Sequence, residues 1–400
     1  MLDSKLSRLT SGFGISGLGR GTVRTRRFLY VLLALTTLYL TITTLLNSSG
    51  ITTSYTYTYN PQYGILAPLP SSPRYAYATL LTSDDERYYT AVRVLAYQLL
   101  ADPETKTQTR TNLSIPIPFI VMVTSGVPSH QRRQLILDGA QVAHVEDVPL
   151  PWWIRQRLRR PSRYGDQFTK LRVLQMLEFD RVLYLDVDTL LMRCLDGIFE
   201  DEAARRPMES LIRTRTRSRG RLSLGGGKGE WEPESRSGGE SAVKISKEES
   251  MVPAQYVFAG RSDNGRSNDG SSGGEYDHPF PPIERDSLSG GFWIVAPSNE
   301  LFAYYMFVMQ SSTLGVLRPF DPQFMEQAML NYVHRRTRGG SMPWVALDYR
   351  WSATFPNERD VEGGVASMHD KFWANGPEVL KERWRRKKEE MERLWPVVKV

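Results

Sequence analysis

Cysteine is nearly absent from this chain of 400 residues, in which Cys194 is the only one. An intrachain disulfide and a cysteine-rich zinc site are therefore excluded. The secretory pathway is not excluded, because a domain of this size buries enough surface without disulfides. Neither the charged residues, at 24%, nor the hydrophobic residues, at 40%, reach the excess that marks a disordered chain or a polytopic membrane protein.

The positive net charge of +7 is unevenly distributed along the chain. Residues 1–27 hold six basic residues and one acidic residue, a local excess of five. Residues 28–46 follow without a charge, a glycine or a proline, and a helix of that length spans roughly 29 Å, about one hydrocarbon core. Because residues 47–63 carry no charge, the basic flank predicts a cytosolic N-terminus and a lumenal remainder.

We therefore expect a single-pass type II membrane protein with a cytosolic tail (1–27), a signal anchor (28–46) and a stem (47–74). A cleaved signal peptide is the alternative, but the apolar segment is long and no small-residue cleavage site ends it. A lumenal location also argues against nucleic acid as a partner, although arginine is frequent in parts of the chain. The sequence does not indicate an oligomeric state.

The remaining chain predicts one domain over residues 75–375 and a charged, amphipathic C-terminal helix within residues 376–400 with a solvated face. Two segments within the domain, at about 205–249 and 260–278, are rich in Gly, Ser, Arg and Glu and have little apolar content. Such segments bury too little apolar surface to offset the entropy of ordering, so we expect disordered insertions there.

Within the domain, apolar segments of strand length alternate with helical patterns, which predicts a parallel, doubly wound α/β sheet. The predicted strands are 76–82, 117–124, 143–148, 181–185, 251–259 and 288–297, and the predicted helices are 88–100, 130–139, 169–177 and 299–309.

One pair of carboxylates follows a predicted buried strand. Arg181–Leu185 leads into Asp186-Val187-Asp188, and the period of two places both carboxylates on one side of the chain while Val187 points into the fold. Ligands of α/β sheets bind beyond the carboxyl ends of strands, where this pair lies. Two close carboxylates favour a cation between them, and oxygen ligands suit Mg²⁺ or Mn²⁺ together with substrate phosphates.

From about residue 75 to 373, several short motifs occur in the order found in the glycogenin-like glycosyltransferases, family 8, and the chain resembles that family. The strand ending at Thr82, with Tyr88 beyond it, resembles the family's first strand and its nucleotide-cradling loop and helix. Phe168-Thr169-Lys170-Leu171 resembles the motif whose lysine faces the donor. The Asp186-Val187-Asp188 stretch is similar to the family's metal-binding D-x-D.

Three later motifs continue the resemblance. Ser289-Gly290-Gly291 resembles the stretch in which small residues let the backbone approach the donor sugar. Glu326-Gln327 is similar to the Asp-Gln pair at a helix start, with glutamate where aspartate is usual. His369 resembles the late histidine that completes the metal site. The chain is most similar to the fungal branch, described as N-acetylglucosaminyltransferases of the Golgi.

The resemblance implies a GT-A-like fold with a mostly parallel, Rossmann-like sheet. It also implies transfer of a sugar, GlcNAc as the leading candidate, from a UDP-sugar donor to a glycan or glycoprotein, with retention of configuration. Mn²⁺ or Mg²⁺ would be bound by Asp186, Asp188 and His369, and the catalytic residues would be Lys170, Glu326 and Gln327. The donor would contact Thr82, Tyr88, Lys170, Asp186, Ser289, Gly290 and Gly291.

Two other functions stay open at this point. A membrane-anchored protein that kept the fold without catalysis would carry the same sheet. A phosphatase or phosphotransferase with an aspartate nucleophile also uses a strand ending in D-x-D, but it needs a later acidic pair on another strand. The nearest acidic residues, Asp263 and Asp269, lie in sequence of low complexity.

Overall fold

The computed structural model describes residues 56–58, 73–108, 117–158, 165–211, 251–264, 276–311, 320–337 and 340–397, all within the unit Tyr55–Val400. The predicted cytosolic tail, signal anchor and most of the stem lie outside the described residues, as does the chain from 212 to 250. Within the described ranges, no helix has the length and apolar character needed to cross a membrane.

The largest sheet in the described part of the chain has eight strands. They are β1 (Thr56–Thr58), β2 (Tyr75–Leu81), β3 (Phe119–Val123), β4 (Gln141–His144), β5 (Arg181–Leu185), β9 (Phe258–Ser262), β10 (Leu288–Val295) and β11 (Val345–Ala346). A small sheet contains β6 (Thr189–Leu191), β12 (Ala353–Thr354) and β13 (Ser367–His369), and a two-stranded pair joins β7 (Met208–Glu209) to β8 (Gln255–Tyr256).

The helices of the described residues include α1 (Glu86–Leu100), α2 (Ser129–Leu137), α3 (Trp152–Arg157), α4 (Glu202–Arg205), α5 (Asn299–Ser311), α6 (Met325–Val333), α7 (Glu358–Glu362) and α8 (Glu378–Leu394). Three further segments are 3₁₀ helices: Asp166–Gln175, Asp196–Glu200 and Pro322–Phe324. The segment that the sequence predicted as a helix over 169–177 forms a 3₁₀ helix, which begins earlier, at Asp166, and ends at Gln175.

The strand order of the large sheet is β1-β4-β3-β2-β5-β10-β9-β11. Strands β4, β3, β2 and β5 run parallel to one another, whereas β1 is antiparallel to β4, and β10 is antiparallel to both β5 and β9. The predicted α/β sheet, mostly parallel, is confirmed in its central strands, and its β10 side is mixed. The alternation that sequence reasoning used does not report strand direction.

Buried side chains cover both faces of the central strands. Along β5, Val182 and Tyr184 belong to one apolar cluster, while Leu183 and Leu185 belong to another on the opposite face. A strand buried on both sides has a nearly continuous apolar sequence, which is why this strand was predicted with its observed bounds.

The predicted insertions are ordered at their edges. Residues 205–211 include β7, which pairs with β8, and residues 260–262 complete β9. The expectation of disorder is therefore wrong for these short stretches. Gly260 needs its lack of a side chain, because a Cβ there would lie 2.3 Å from Leu288 Cδ1 across the sheet. Glycine in this segment supports close packing of strands instead of chain flexibility.

The C-terminal helix α8 packs against α1 and buries more than its apolar residues. The Lys387 ammonium is enclosed with Asp102 at 2.8 Å and Glu390 at 3.1 Å, and its side chain is 1% exposed. Lys388, in contrast, pairs on the surface with Glu392. The charge run was predicted as a solvated face, and this prediction is wrong for Lys387.

Candidate active site

The aspartate pair lies where β5 leaves the large sheet and β6 enters the small one. Asp186 follows Leu185, and its backbone N–H donates to Gly291 O on β10 at 3.0 Å. Val187 is 8% exposed and packs in the core, as the alternation predicted. Asp186 and Asp188 both line a cavity of about 790 Å³. The local sequence thus fixes two carboxylates at the end of a buried strand.

The small sheet brings a histidine to this pair. Antiparallel pairing of β13 with β6 sets His369 opposite Thr189, the residue after Asp188. The Nε2 atom of His369 lies 3.1 Å from Asp188 Oδ1 and 3.7 Å from Asp186 Oδ2. One ligand atom from each residue falls within 4.8 Å of the others, so the three residues form a candidate metal centre.

This donor set fits a divalent cation. Neighbouring ligands of an octahedral Mg²⁺ or Mn²⁺ lie roughly 3 Å apart, which matches the observed separations. Gly291 leaves room for the side chains of His369 and Asp186, because a Cβ there would lie 2.4 Å from His369 Cε1 and 2.9 Å from Asp186 Oδ2. Carboxylate oxygens suit Mg²⁺ and Mn²⁺, and the imidazole adds a nitrogen ligand of the kind that transition-metal ions accept.

A buried lysine joins the pair to a third carboxylate. Lys170 is 4% exposed, and its Nζ lies 2.8 Å from Asp186 Oδ1 and 2.7 Å from Glu326 Oε1. Burial opposes the charge of Lys170, but the carboxylates of Asp186 and Glu326 outweigh that effect and raise its pKa. Burial raises the pKa of Glu326, and Lys170 limits the rise. The predicted residues Lys170 and Glu326 thus form one charge network with the D-x-D.

Two side chains of this network were missed by sequence reasoning. The hydroxyl of Tyr184 donates to Asp186 Oδ1 at 2.9 Å, and Lys371 Nζ lies 3.3 Å from Asp188 Oδ2. Tyr184 stands two positions before Asp186 in β5, so the same period of two that paired Asp186 with Asp188 could have found it. Lys371 follows the end of β13, where that period does not apply.

The charges around Asp188 favour its ionised form. Burial opposes ionisation, but His369 and Lys371 outweigh it and lower the pKa of Asp188 well below its ordinary value. In turn, burial disfavours the imidazolium of His369, but Asp188 and Asp186 raise its pKa overall. The arrangement is an acidic pair that is surrounded by cationic groups from two different segments of the chain, one with Lys170 and one with His369 and Lys371.

The glycines at the start of β10 bring backbone to the cavity wall. Gly290 and Gly291 line the cavity, and a Cβ at Gly290 would lie 3.0 Å from Glu326 Oε1. Gln327 also lines the cavity, and its Oε1 accepts from Gly290 N–H at 2.9 Å. The Ser289 side chain is 1% exposed, and its hydroxyl accepts a hydrogen bond from Thr354 at 3.2 Å within the protein.

The opposite wall begins at the end of β2. Thr82 and Tyr88 line the cavity, and the Tyr88 ring packs edge-on against Trp373 at 5.4 Å. Asp85 caps α1 and pairs with Arg87. Asp166, at the start of the 3₁₀ helix that carries Lys170, also faces the cavity; burial and nearby Asp147 raise its pKa to about 6.

Comparison with family models gives no match. An uncharacterised protein of Schizosaccharomyces pombe is 26% identical over 76% of this chain and 74% of its own length. Inositol phosphorylceramide glucuronosyltransferase 1 of Arabidopsis thaliana is 26% identical over 32% of this chain and 21% of its own length. Galactinol synthase 10 of the same plant is 24% identical over 34% of this chain and 37% of its own. The predicted enzyme class, a glycosyltransferase, is confirmed at this level, whereas the GlcNAc branch is not.

Solved structures with some likeness include the galactosyltransferase LgtC in complex with donor and acceptor sugar analogues, at 14% identity and a TM-score of 0.41. That comparison covers 79% of this chain and 95% of the other. Mouse xyloside xylosyltransferase 1 gives 10% identity and a TM-score of 0.39 over 76% of this chain and 100% of the other. Likeness at this level does not establish a shared fold.

Proposed function

We propose that this protein is a metal-dependent glycosyltransferase that moves a neutral sugar, GlcNAc as the leading candidate, from a UDP-sugar to a glycan or glycoprotein. The observation that carries the proposal is the meeting of Asp186, Asp188 and His369 at one end of a cavity, with Lys371 beside them and Lys170 behind them. A cation bound to the three ligands would neutralise the charge that develops on the leaving diphosphate.

One of the chain's own cations, Lys371, would share that task. Lys371 Nζ is 3.3 Å from Asp188 Oδ2, and its side chain is 43% exposed, so it can reach a phosphate oxygen beside the carboxylates. Lysine binds phosphate as a point charge without fixed geometry. Lys170 is saturated by Asp186 and Glu326, and its role is to hold these two carboxylates in place.

The wall formed by Gly290, Glu326 and Gln327 would face the donor sugar. Gly290 lets the backbone approach the ring, and the Gln327 amide oxygen presents a partial negative charge suited to an oxocarbenium-like centre. An amide is a poor nucleophile, which agrees with retention by front-face displacement and not through a covalent intermediate.

The charges of the cavity favour an uncharged sugar. Five carboxylates line it, from Asp85, Asp166, Asp186, Asp188 and Glu326, against two lysines. Lys170, behind the proposed sugar wall, is already paired with Glu326 and Asp186, so it is not available to neutralise a uronic acid. A glucuronosyl donor, which the name of one plant relative suggests, would bring a carboxylate towards these acidic groups.

A Golgi location and a type II orientation are part of the same proposal. Residues 28–46, uncharged and preceded by a basic tail, would anchor the protein with its cavity in the lumen. UDP-sugar donors and glycan acceptors meet in that compartment.

The test is UDP release by the purified full-length chain with Mn²⁺ and either UDP-GlcNAc, UDP-glucose, UDP-galactose or UDP-glucuronic acid. Asp188→Asn is expected to abolish release, because it removes the charge of one proposed metal ligand without changing the size of the side chain. Asp277→Asn is the matched control, since Asp277 is exposed and pairs with Arg359 on the surface. A folded protein that neither released UDP nor bound it with Mn²⁺ would support the non-catalytic alternative instead.

A further inference from the structure

Three segments meet at the side chain of Gln327, and only two of them were expected at the site. Gln327 belongs to the first turn of α6, and Gly290 to β10. The third is the segment after β9: Gln327 Nε2 donates to Asp263 Oδ2 at 2.9 Å. Asp263 lies in sequence that composition marks as an insertion, yet its own backbone N–H donates to Ser287 O at 2.7 Å.

A break in the sheet explains why Gly290 is free to bind Gln327. Strand β10 pairs with β9 at Leu288 and again from Trp293, and the register shifts between the two points. Such an irregularity releases backbone groups from the strand ladder and redirects them. The Gly290 N–H donates to Gln327 Oε1, and Asn331, one turn later on α6, binds both backbone groups of Leu288.

The two partners of the Gln327 amide specify one orientation. A backbone N–H can only be accepted by the amide oxygen, and a carboxylate can only accept from the amide nitrogen. Gly290 and Asp263 therefore both require the oxygen on the Gly290 side of the cavity wall. A carboxylate acceptor makes a stronger hydrogen bond than a neutral one, so Asp263 contributes strongly to this preference.

We propose that Asp263 is a positioning residue that fixes the amide of Gln327, with its oxygen towards the donor sugar. This inference rests on the proposed function, because Gln327 acts on the donor only if the cavity binds one. Asp263 acts through Gln327 and does not itself line the cavity as described. The predicted consequence is a loss of turnover without a loss of nucleotide affinity.

The hydrogen bond between Gln327 and Asp263 also predicts that turnover depends on the charges of these two side chains. In Gln327→Glu, a carboxylate would replace the donating amide nitrogen 2.9 Å from Asp263 Oδ2, and two carboxylates at that distance repel each other. Adding Asp263→Asn to this variant restores a donor and acceptor pair. The second substitution is therefore expected to rescue the first, which a purely local packing role would not produce.

The experiment measures kcat for donor turnover, the Kd of UDP with Mn²⁺ and the Tm for five variants of the full chain: Asp263→Ala, Asp263→Asn, Gln327→Glu, Gln327→Glu with Asp263→Asn, and Asp277→Ala as the exposed control. Loss of a hydrogen bond to a charged group predicts a fall in kcat of about tenfold for Asp263→Ala. Asp263→Asn, which keeps an acceptor oxygen, is expected to lose less. The double variant is expected to recover about tenfold over Gln327→Glu, because it removes the carboxylate repulsion.

A parallel fall of kcat, UDP affinity and Tm in Asp263→Ala would overturn the positioning role in favour of a structural one. So would a wild-type rate in Asp263→Ala, or a double variant no faster than Gln327→Glu. If the wild type turns over a donor and these results occur, the positioning role alone fails. If the wild type turns over none of the four donors, the proposed function fails and the positioning role fails with it.

Discussion

Removing the charge of Lys170 is expected to destabilise the protein even with no substrate or metal present. The Lys170 side chain is 5% exposed and lies within 2.8 Å of Asp186 and 2.7 Å of Glu326, whose side chain is 2% exposed. Lys170→Met keeps the length of the apolar stem but leaves two carboxylates without their cation. Breaking a buried ion pair from one side costs about 3–5 kcal/mol, because the remaining charge stays desolvated.

The expected loss of stability in Lys170→Met can be divided between the two carboxylates, Asp186 and Glu326. Asp186 is 20% exposed in its side chain and retains the Tyr184 hydroxyl as a donor, so part of its charge remains solvated or paired. Glu326 is fully enclosed, and its Oε2 is a buried oxygen with no hydrogen-bond partner among the described residues. Most of the loss should therefore come from Glu326, and a neutral glutamine at that position should recover more than half of it.

The assay is urea unfolding at pH 7 with EDTA present, for the wild type, Lys170→Met and Lys170→Met with Glu326→Gln. We expect the single variant to lose about 3–5 kcal/mol and the double variant to regain most of that free energy. A loss below about 1 kcal/mol, the range of exposed ion pairs, would refute the reasoning. Equal instability of both variants would also refute it, because it would show that Glu326 is not the unpaired charge.

Three further predictions concern the proposed metal site and two ionisable groups outside it, Asp166 and Lys387. Gly291→Ala should weaken Mn²⁺ binding more than Gly290→Ala in a calorimetric titration, because the new Cβ would lie 2.8 Å from His369 Nδ1 at Gly291 and no closer than 3.0 Å to its neighbours at Gly290. The Asp166 carboxyl has a pKa raised to about 6, so the folded state takes up a proton more readily than the unfolded state. The stability that this group contributes therefore falls as the pH rises from about 4 to 6. Asp166→Asn should flatten the plot of urea midpoint against pH over that range, and an unchanged slope would contradict the prediction. Lys387→Met should lower the free energy of unfolding by about 3–5 kcal/mol, because it leaves the buried carboxylate of Asp102 without its cation. Lys388→Met, which breaks an exposed pair with Glu392, should lower it by less than about 1 kcal/mol in the same urea titration.

The local sequence pattern was sufficient to predict the central strand of the sheet and the aspartate pair of the candidate site. The strand Arg181–Leu185, the exit of Asp186 and Asp188 and the inward turn of Val187 all follow from apolar content and a period of two. The stretch Ser83-Asp84-Asp85-Glu86 is also typical of a helix start, and Asp85 caps α1 by accepting from Arg87 N–H.

Contacts between distant segments could not be derived from spacing. The pairing of Lys170 with Glu326 joins residues 156 positions apart, and only the resemblance to a family placed both near the donor. Asp263 was obscured because its neighbours are Gly, Ser, Asn and Arg, a composition that resembles an unstructured insertion. Sequence composition reports how much apolar surface a segment can bury, and it does not report a single polar contact at a strand end.

The wide separation of the proposed metal ligands along the chain also bears on how the protein acquires its site during folding. Asp188 and His369 are 181 residues apart, and they meet only after β13 has paired with β6. Closing so long a segment is slow compared with local helix formation, and a partly folded chain has the two aspartates without the histidine. Binding of Mn²⁺ would therefore favour the completed fold and stabilise it by mass action. The cation would also hold together the N- and C-terminal parts of the domain after they have met.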